Sequence, residues 1–317
     1  MRVGIVGAGV AGFACADRLS EYGIEVALFD KGKRPGGRAS TLTLDGHAWD
    51  FGAQYFTARD PLFVEHVARW EAAGHVARWA AGPDEAWVGV PGMASILSAG
   101  AARHTVRFGA QVQAVHPSEE GWHLTGPGVD DGPFDAVCIA VPAEQAASLI
   151  GLHDMMMARE AATVRSAPCW TLMIAFPERI AALPDVMRPA GAIAWAARDS
   201  SKPGRPDAEC WVIQAEGDWS ARNLERNQDD IAEELLRHFC GLTGAPLPDP
   251  VFLKAHRWRF ALPRGGHGAP MWNAALRLGA CGDWCAAPRI EAAWLSGHAL
   301  GGQMAETLGL VRTTEAA

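Results

Sequence analysis

The sequence predicts an α/β protein in which a parallel-sheet domain is joined to a second, mixed-sheet α+β domain. The chain has 317 residues, which exceeds the length of about 250–300 residues at which one core usually stops growing. A glycine-rich turn joins a strand to a helix near the amino terminus, and a strand, an acidic turn and a helix follow one another near the carboxyl terminus. We therefore expect a discontinuous first domain of residues 1–74, 100–164 and 275–317, with a second domain of residues 75–99 and 165–274.

Composition narrows the classes of function. With 49% hydrophobic residues the chain is not generally disordered, and a net charge of −8 without a basic stripe argues against nucleic-acid binding. Since no apolar stretch reaches about 18 residues, we expect no membrane span. The seven cysteines are scattered and odd in number, without paired Cys-x-x-Cys motifs. They suit reduced thiols in a cytoplasmic protein, and no metal site is expected.

The amino-terminal turn carries a specific pattern. Residues Arg2–Val6 have the pattern of a short buried strand, and Gly-Ala-Gly-Val-Ala-Gly follows at once, leading into helical apolar spacing. In such a unit Gly7 makes the tight turn, Gly9 lets the backbone approach a pyrophosphate, and Gly12 permits close helix–strand packing. The helix N-terminus faces the phosphate charge. This pattern predicts a dinucleotide site in a Rossmann-like domain.

The second strand of this unit, residues 24–29, ends at Asp30, whose carboxylate can accept hydrogen bonds from a ribose. A basic loop starts at Lys31 and contains Gly36-Gly37-Arg38. This Gly-Gly-Arg resembles the extended fingerprint of glutathione-reductase-type FAD proteins, particularly the amine oxidase and desaturase branch. That likeness implies FAD as the cofactor and places Arg38 on its phosphates or at the flavin.

Two further segments resemble flavin-facing parts of the same branch. Asp-Phe-Gly-Ala-Gln-Tyr-Phe-Thr at residues 50–57 is similar to a segment that runs beside the isoalloxazine, although Tyr55 could equally be a core residue. Near the carboxyl terminus, Asp283 lies in a turn between a strand and a helix that begins at Ile290. A strand-end Asp can accept a ribityl hydroxyl, and a helix N-terminus can stabilise charge on a reduced flavin.

Taken together, the motifs resemble the renalase family, most closely its bacterial members, over nearly the whole chain in order and spacing. The motifs that carry this resemblance are Val-Gly-Ile-Val-Gly-Ala-Gly, Gly-Gly-Arg, Asp-Phe-Gly-Ala-Gln-Tyr-Phe-Thr, Arg-Trp-Arg-Phe at 257–260 and Gly-Asp-Trp-Cys-Ala-Ala-Pro-Arg at 282–289. One departure is Asp30, where Glu is commoner. The resemblance implies a non-covalently bound FAD that oxidises 2- or 6-dihydro isomers of NAD(P)H to NAD(P)⁺, with O2 reduced to hydrogen peroxide. Because hydride loss makes the pyridine ring of the substrate aromatic, the flavin needs no help from an acid or base, and no catalytic residue is assigned.

The expected site residues fall into two groups. The cofactor is expected to contact Gly7, Gly9, Ala11, Gly12, Asp30, Lys31, Arg38, Ala53, Gln54, Tyr55, Val112, Asp283 and Ile290. The substrate pocket is expected to include Thr57, Arg59, Met93 and Trp258. Resemblance places the backbone of Val112, in a strand predicted over residues 107–115, on the adenine, and Arg59 is expected to meet a substrate phosphate or ribose. Trp258 is either a wall of the flavin site or a core residue.

Two other functions stay open on sequence alone. One is a flavin-dependent amine oxidase or desaturase acting on another small molecule, and the other is a non-enzymatic flavin- or nucleotide-binding module. Amine oxidation in the wider branch commonly uses a Lys that holds water near the flavin. Of the four lysines only Lys254 is expected nearby. The Pro- and Gly-containing stretch 200–207, which includes Lys202, is predicted to be an exposed loop.

Overall fold

The computed structural model describes residues 1–181, 183–243, 247–266 and 268–309, so the final residues 310–317 of the first predicted domain lie outside the described residues. Within those ranges the chain forms 18 strands and eight α-helices. The strands are β1 (Arg2–Val6), β2 (Glu25–Asp30), β3 (Thr41–Leu44), β4 (His47–Asp50), β5 (Val76–Arg78), β6 (Trp87–Gly89), β7 (Thr105–Phe108), β8 (Ala114–Pro117), β9 (Trp122–Gly126), β10 (Val129–Phe134), β11 (Ala136–Ile139), β12 (Arg165–Phe176), β13 (Val186–Met187), β14 (Ile193–Arg198), β15 (Glu209–Ala215), β16 (Phe252–Arg264), β17 (Met271–Asn273) and β18 (Leu278–Ala280). The helices are α1 (Val10–Ser20), α2 (Pro61–Ala72), α3 (Ser98–Arg103), α4 (Ala143–Ile150), α5 (Met155–Thr163), α6 (Gly217–Arg222), α7 (Gln228–Thr243) and α8 (Ile290–Thr307). None of the helices in the described part of the chain is long and apolar enough to cross a membrane.

The chain divides into two compact units. Unit 1 comprises residues 1–37, 97–165 and 263–317, and unit 2 comprises residues 38–96 and 166–262. This division differs from the expected one mainly at residues 38–74, which lie in unit 2. The reason is that β4 packs on the unit 2 sheet, where the Trp49 indole is fully buried and donates a hydrogen bond to the carbonyl of Ile174.

Unit 1 is built on a six-stranded sheet with the order β17-β18-β11-β1-β2-β7. The pairs from β18 to β7 are parallel, and β17 alone runs antiparallel to its neighbour. Residues of β11 are all fully buried, as expected for a parallel strand covered on both faces. An antiparallel meander of β8, β9 and β10 completes the unit. The predicted fold class is confirmed.

Two helices of unit 1 pack unusually closely because small residues face each other. A Cβ atom built on Gly297 of α8 would lie 2.0 Å from the carbonyl oxygen of Ala11 in α1. One built on Gly301 would lie 2.9 Å from the carbonyl oxygen of Cys15. Since β18 and β1 run parallel on either side of β11, the turns that follow them lie at the same edge of the sheet. The glycine turn and the Asp283 turn are therefore neighbours in unit 1.

Residues 107–115 do not form the single strand that their alternation predicts. Strand β7 ends at Phe108, Gly109 adopts a positive φ of 71°, and β8 begins only at Ala114. The backbone turns because the N–H groups of Gly109 and Ala110 donate to the carbonyls of Gly32 and Asp30. Val112 therefore lies in a connecting loop, beside the end of β2.

Unit 2 is built on a five-stranded sheet with the order β13-β14-β15-β12-β16 and on the hairpins β3–β4 and β5–β6. Helix α7 covers the sheet with Ile231, Leu235 and Phe239, all fully buried. In β16 successive side chains lie on opposite faces of the strand. Ala255 belongs to the core under α7, whereas its neighbour Lys254 is exposed.

Candidate functional site

The three glycines of the amino-terminal turn meet different surroundings. Gly7 has a φ of 107°, and a Cβ atom there would lie 2.4 Å from the carbonyl oxygen of Ala140. A Cβ atom on Gly12 would lie 1.9 Å from the carbonyl oxygen of Gly7. A Cβ atom on Gly9 would meet nothing within 4 Å. Protein packing thus accounts for Gly7 and Gly12, whereas the open space at Gly9 fits a ligand that approaches the backbone.

Helix α1 starts directly after this open position. Gly9 is its N-cap, no side chain caps the N–H groups of its first turn, and that turn, which includes Ala11, carries no acidic residue. The first N–H groups of a helix lack partners inside the helix, and the helix dipole favours negative charge there. The turn therefore fits the pyrophosphate of a dinucleotide.

Asp30 fixes the shape of the turn from the end of β2. Its Oδ2 accepts a hydrogen bond from the N–H of Ala8 at 2.8 Å, and its Oδ1 accepts one from the N–H of Gly32 at 2.6 Å. The carboxylate is half-buried and keeps lone pairs that a ribose hydroxyl can use. Lys31 is exposed beside it, and Val112 is half-buried in the adjoining loop.

The carboxyl-terminal turn is more enclosed. Asp283 is buried, and the Trp284 indole donates to the carbonyl of Val141 at 2.9 Å, which ties the turn to the residues after β11. Ile290 begins α8 a few residues later, without a side-chain cap. Burial raises the pKa of Cys285 to about 12, so this thiol is protonated and inert at neutral pH.

In unit 2 the segment Asp50–Thr57 passes very close to residue 38. The N–H of Ala53 donates to the carbonyl of Arg38 at 2.8 Å, and a Cβ atom on Gly52 would lie 2.0 Å from that same oxygen. The Arg38 guanidinium donates to the carbonyl of Ala261 at 3.0 Å. The Tyr55 ring is half-buried and lies 5.6 Å from the ring of Trp195. The structure thus brings Arg38 and the Ala53–Tyr55 stretch together.

The Gln54 side chain points into unit 2, so it is not directed at a cofactor, although Gln54 is one of the expected cofactor contacts. Its Nε2 donates to the carbonyls of Asp50 and Gly52, and its Oε1 accepts from Lys202 Nζ at 3.4 Å. The side chain is 5% exposed. Both ends of the amide are therefore occupied inside the protein.

Lys202 belongs to a buried group that we call the ion cluster, which consists of Asp50, Asp199, Lys202 and Arg205. All four side chains are 0% exposed. Lys202 Nζ donates to Asp50 at 3.2 Å and to Asp199, and Arg205 donates to Asp50 and lies 3.4 Å from Asp199. The prediction of an exposed loop at 200–207 holds for Gly204 and Asp207 but is wrong for Lys202 and Arg205, because these two cations pair with two carboxylates inside unit 2.

The pKa values of the two carboxyl groups in the ion cluster are shifted in opposite directions from their ordinary value. Burial raises the pKa of Asp50, but the charges of Lys202 and Arg205 and a hydrogen bond from the N–H of Met93 outweigh it, so the pKa lies below its ordinary value. Burial, with the neighbouring Asp50 charge, raises the pKa of Asp199 above its ordinary value despite the same two cations. Asp199 is thus the first member to take a proton as pH falls.

Trp258 and His256 pack around Phe51. The Trp258 ring stacks on the Phe51 ring at 5.3 Å and 15°, and its indole donates to the Phe51 carbonyl at 2.7 Å. The His256 ring lies 4.9 Å from Phe51 and 4.4 Å from Trp258. Burial, with the Lys254 charge, lowers the pKa of His256 to about 4, so the imidazole is neutral at pH 7.

The remaining predicted pocket residues have different environments. Thr57 is half-buried and Arg59 is exposed, as expected near an entrance. Met93 is fully buried and its N–H donates to Asp50 Oδ1 at 2.8 Å, so its side chain belongs to the interior of unit 2 rather than to an open pocket surface. In the described ranges no group of three or more His, Cys, Asp or Glu side chains is arranged to hold a metal ion.

The parallel sheet of unit 1 and its glycine turn define a dinucleotide-binding protein, and two family comparisons agree. The NAD(P)-binding Rossmann-like domain matches residues 5–70, and the flavin-containing amine oxidoreductase family matches residues 71–297. Since the second match covers well over half of the sequence, the chain belongs to the flavin-containing amine oxidoreductase family. Proteins of this family are flavin-dependent oxidoreductases, which favours an enzyme over the hypothesis of a non-enzymatic module.

Individual relatives show how far this likeness extends. A zeta-carotene-forming phytoene desaturase from Myxococcus xanthus is 49% identical over 51 residues, which are 16% of this chain and 10% of the desaturase. The chain thus matches a tenth of that relative's length. A protein from Exiguobacterium sp. 255-15, provisionally assigned as a protoporphyrinogen oxidase, has a TM-score of 0.79 at 12% identity, covering 97% of this chain and 99% of its own. Cyclohexylamine oxidase from Brevibacterium oxydans IH-35A has a TM-score of 0.70 at 14% identity, covering 97% and 99%. At these identities the two structures share the fold.

Proposed function

We propose that the chain is an FAD-dependent oxidase that removes a hydride from a carbon next to nitrogen in a small molecule. The observation that carries this proposal is the glycine turn, in which Gly9 faces open space while Gly7 and Gly12 are packed against backbone. Bound FAD supplies the redox chemistry, since it takes the hydride and passes two electrons to O2, giving hydrogen peroxide. We expect the cofactor to be held without a covalent bond, since the two cysteines nearest the Asp283 turn, Cys281 and Cys285, are both buried.

The chain's residues have distinct proposed roles toward FAD. In unit 1, the turn Gly7–Gly12 and the start of α1 bind the pyrophosphate, and Asp30 binds the adenosine ribose. The backbone of Val112 meets the adenine, and Asp283 with the start of α8 meets the ribityl chain and the flavin. In unit 2, residues Ala53–Tyr55 run along the isoalloxazine, while Thr57 and Arg59 stand at the substrate entrance.

Amines are the first candidate substrate class. The chain belongs to the amine oxidoreductase family, and structures of the same fold include proteins named cyclohexylamine oxidase and putrescine oxidase. An amine must lose its proton before it can lose a hydride. Any residue that assists this step needs a free basic group near the reacting carbon.

A second candidate is the 2- and 6-dihydro isomers of NAD(P)H, which the renalase resemblance implies. The specific observation in its favour is Lys202, the lysine that touches the predicted flavin segment. Its three N–H donors are shared among Asp50, Asp199 and Gln54. His256, with a pKa of about 4, is a weak base. A dihydropyridine becomes aromatic when it loses a hydride, so it needs neither group.

Anaerobic rapid mixing of the FAD-loaded protein with each substrate class tests the proposal. Reduction by cyclohexylamine or putrescine would select the amine class, and reduction by the dihydro isomers but not by ordinary 4-dihydro NADH would select the second. If neither class reduces the flavin, the proposed function is wrong.

A pair of arginine variants adds a check on the second class. Arg59→Ala should raise the KM for the isomers by about tenfold, the usual scale for one charge-assisted hydrogen bond to phosphate, and should leave that of amines unchanged. Arg69→Ala removes an exposed cation from α2 of the same unit and should change neither.

A further inference from the structure

The proposed function gives no role to the ion cluster, although the cluster is buried beside the segment that carries the predicted flavin contacts. Its members come from the end of β4, from the residue after β14 and from the loop that follows, and their side chains are fully buried. Two carboxylates and two cations give it no net charge. A buried ion group is in general no more stable than well-packed apolar residues of similar volume. Stability alone therefore does not explain why this site holds charges.

The ion cluster is hydrogen-bonded to the segment that carries the predicted flavin contacts. Asp199 Oδ2 accepts a hydrogen bond from the N–H of Asp50 at 3.2 Å, and Lys202 Nζ donates to Gln54 Oε1 at 3.4 Å. Because Lys202 offers only N–H donors, it fixes which end of the Gln54 amide faces it. The Nε2 end is then directed at the carbonyls of Asp50 and Gly52, to which it donates.

These contacts hold the backbone of the segment but do not use the main-chain N–H groups of Gln54 and Tyr55. The Gly52 carbonyl also accepts from Gln214 Nε2 at 2.7 Å, and the N–H of Ala53 is bound to the carbonyl of Arg38. Among the described residues, no group accepts a hydrogen bond from the N–H of Gln54 or of Tyr55. The side chain of Gln54 thus stabilises the main chain of its own segment, by donating to the carbonyls of Asp50 and Gly52.

We propose that the ion cluster is a positioning device that sets the amide orientation of Gln54 and, through it, presents the main-chain N–H groups of Gln54 and Tyr55 to the polar edge of the flavin. This rests on the proposed function only in taking the segment as the flavin-facing one. Lys202 and Asp199 act through Gln54 and are positioning residues. A lysine donor distinguishes the oxygen from the nitrogen of an amide, which apolar contacts of equal volume do not do.

The test replaces one ion pair of the cluster and, separately, the amide that it orients. Asp199→Asn with Lys202→Met keeps the cluster neutral and leaves the Asp50–Arg205 pair, while Gln54→Met keeps all four charges. Both variants should weaken FAD binding by at least about tenfold, as expected when hydrogen bonds to the cofactor are lost, and both should shift the visible absorption bands of the bound flavin. Binding is measured by flavin fluorescence on reconstitution of the apoprotein, and folding by circular dichroism.

The matched control is a second buried ion pair of unit 2, Arg198 with Glu209, whose side chains are each 2% exposed and lie 3.0 Å apart. Arg198 also pairs with Asp185, and Glu209 also lies near Arg179. Among the described residues, neither Arg198 nor Glu209 forms a hydrogen bond or an ion pair with the segment Asp50–Tyr55. Arg198→Met with Glu209→Gln should lower the melting temperature but leave the flavin spectrum and the FAD affinity unchanged within about twofold.

Two results would overturn the proposal. One is wild-type FAD affinity and spectrum in folded Gln54→Met, which decides the matter even if the Asp199 and Lys202 double variant does not fold. The other is an equal change in the Arg198 and Glu209 control, which would show a merely structural effect. These measurements need no substrate, so a wild-type flavin that no amine or dihydro isomer reduces would refute the proposed function and leave this test intact.

Discussion

Replacing Gly9 and Gly12 separately by Ala distinguishes a glycine required by a ligand from a glycine required by packing. At Gly9 the backbone has φ −91° and ψ −169°, which any residue adopts, and the new methyl group meets no protein atom within 4 Å. The free energy of unfolding of apo Gly9→Ala should therefore change by less than about 1 kcal/mol, since the weaker N-cap and the reduced backbone entropy of the unfolded chain oppose each other.

The cofactor should respond in the opposite way at this position. If the methyl group keeps the pyrophosphate from one main-chain N–H, the loss of one hydrogen bond to a charged group is worth about 1.5–3 kcal/mol. The Kd for FAD should then rise by about 10- to 150-fold. A bulky residue at Gly9 should abolish loading.

Gly12→Ala should destabilise the apoprotein itself. The methyl group would lie 1.9 Å from the carbonyl oxygen of Gly7, about 1.5 Å short of ordinary contact, and the obstacle is backbone rather than a flexible side chain. Overpacking typically costs about 1–3 kcal/mol, and the upper end or more is expected here. Gly302→Ala in α8 is a control, because its Cβ would meet only Arg18 side-chain atoms at 3.7 Å or beyond.

Urea unfolding of the apoproteins and flavin-fluorescence titration measure the two quantities independently. The reasoning is refuted if Gly9→Ala binds FAD as tightly as the wild type, or if apo Gly12→Ala is as stable as Gly302→Ala.

Three further predictions concern single groups. His256→Phe should reduce the acid sensitivity of the melting temperature. Because the pKa of His256 is about 4 in the folded protein and 6.5 in the unfolded chain, the unfolded state binds more protons between these pH values. The stability that is present above pH 6.5 is therefore lost as pH falls toward 4, by at most about 3 kcal/mol and by less for a partly exposed ring. A wild type and variant with the same pH profile would contradict this. Asp30→Ala should cost about 1–3 kcal/mol because the N–H groups of Ala8 and Gly32 lose their acceptor, whereas Glu25→Ala, on an exposed side chain of the same strand, should cost under about 0.5 kcal/mol. Acid precipitation should release FAD into the supernatant, and colour retained in the pellet would show a covalent link.

The sequence by itself determined the parts of this protein that depend on neighbours along the chain. The strand, glycine turn and helix of residues 2–20 follow from apolar spacing and from the steric freedom of glycine, so β1 has the predicted bounds and Gly7 and Gly12 have the predicted surroundings. Strand geometry also put Lys254 and Ala255 on opposite faces of β16, but only the fold decided that the Ala255 face is buried.

Tertiary structure alone decided the features that join distant parts of the chain. Charged residues with Pro and Gly at 200–207 have the composition of an exposed loop, and only the arrival of Asp50, some 150 residues earlier in sequence, makes burial of Lys202 and Arg205 possible. Lys202 and Asp50 also bind neighbours inside unit 2, since Lys202 donates to the Gln54 amide and Asp50 accepts from the N–H of Met93. The local sequence shows whether a residue by itself favours water. The partner that neutralises a buried charge comes from a distant part of the chain and is brought there by the fold.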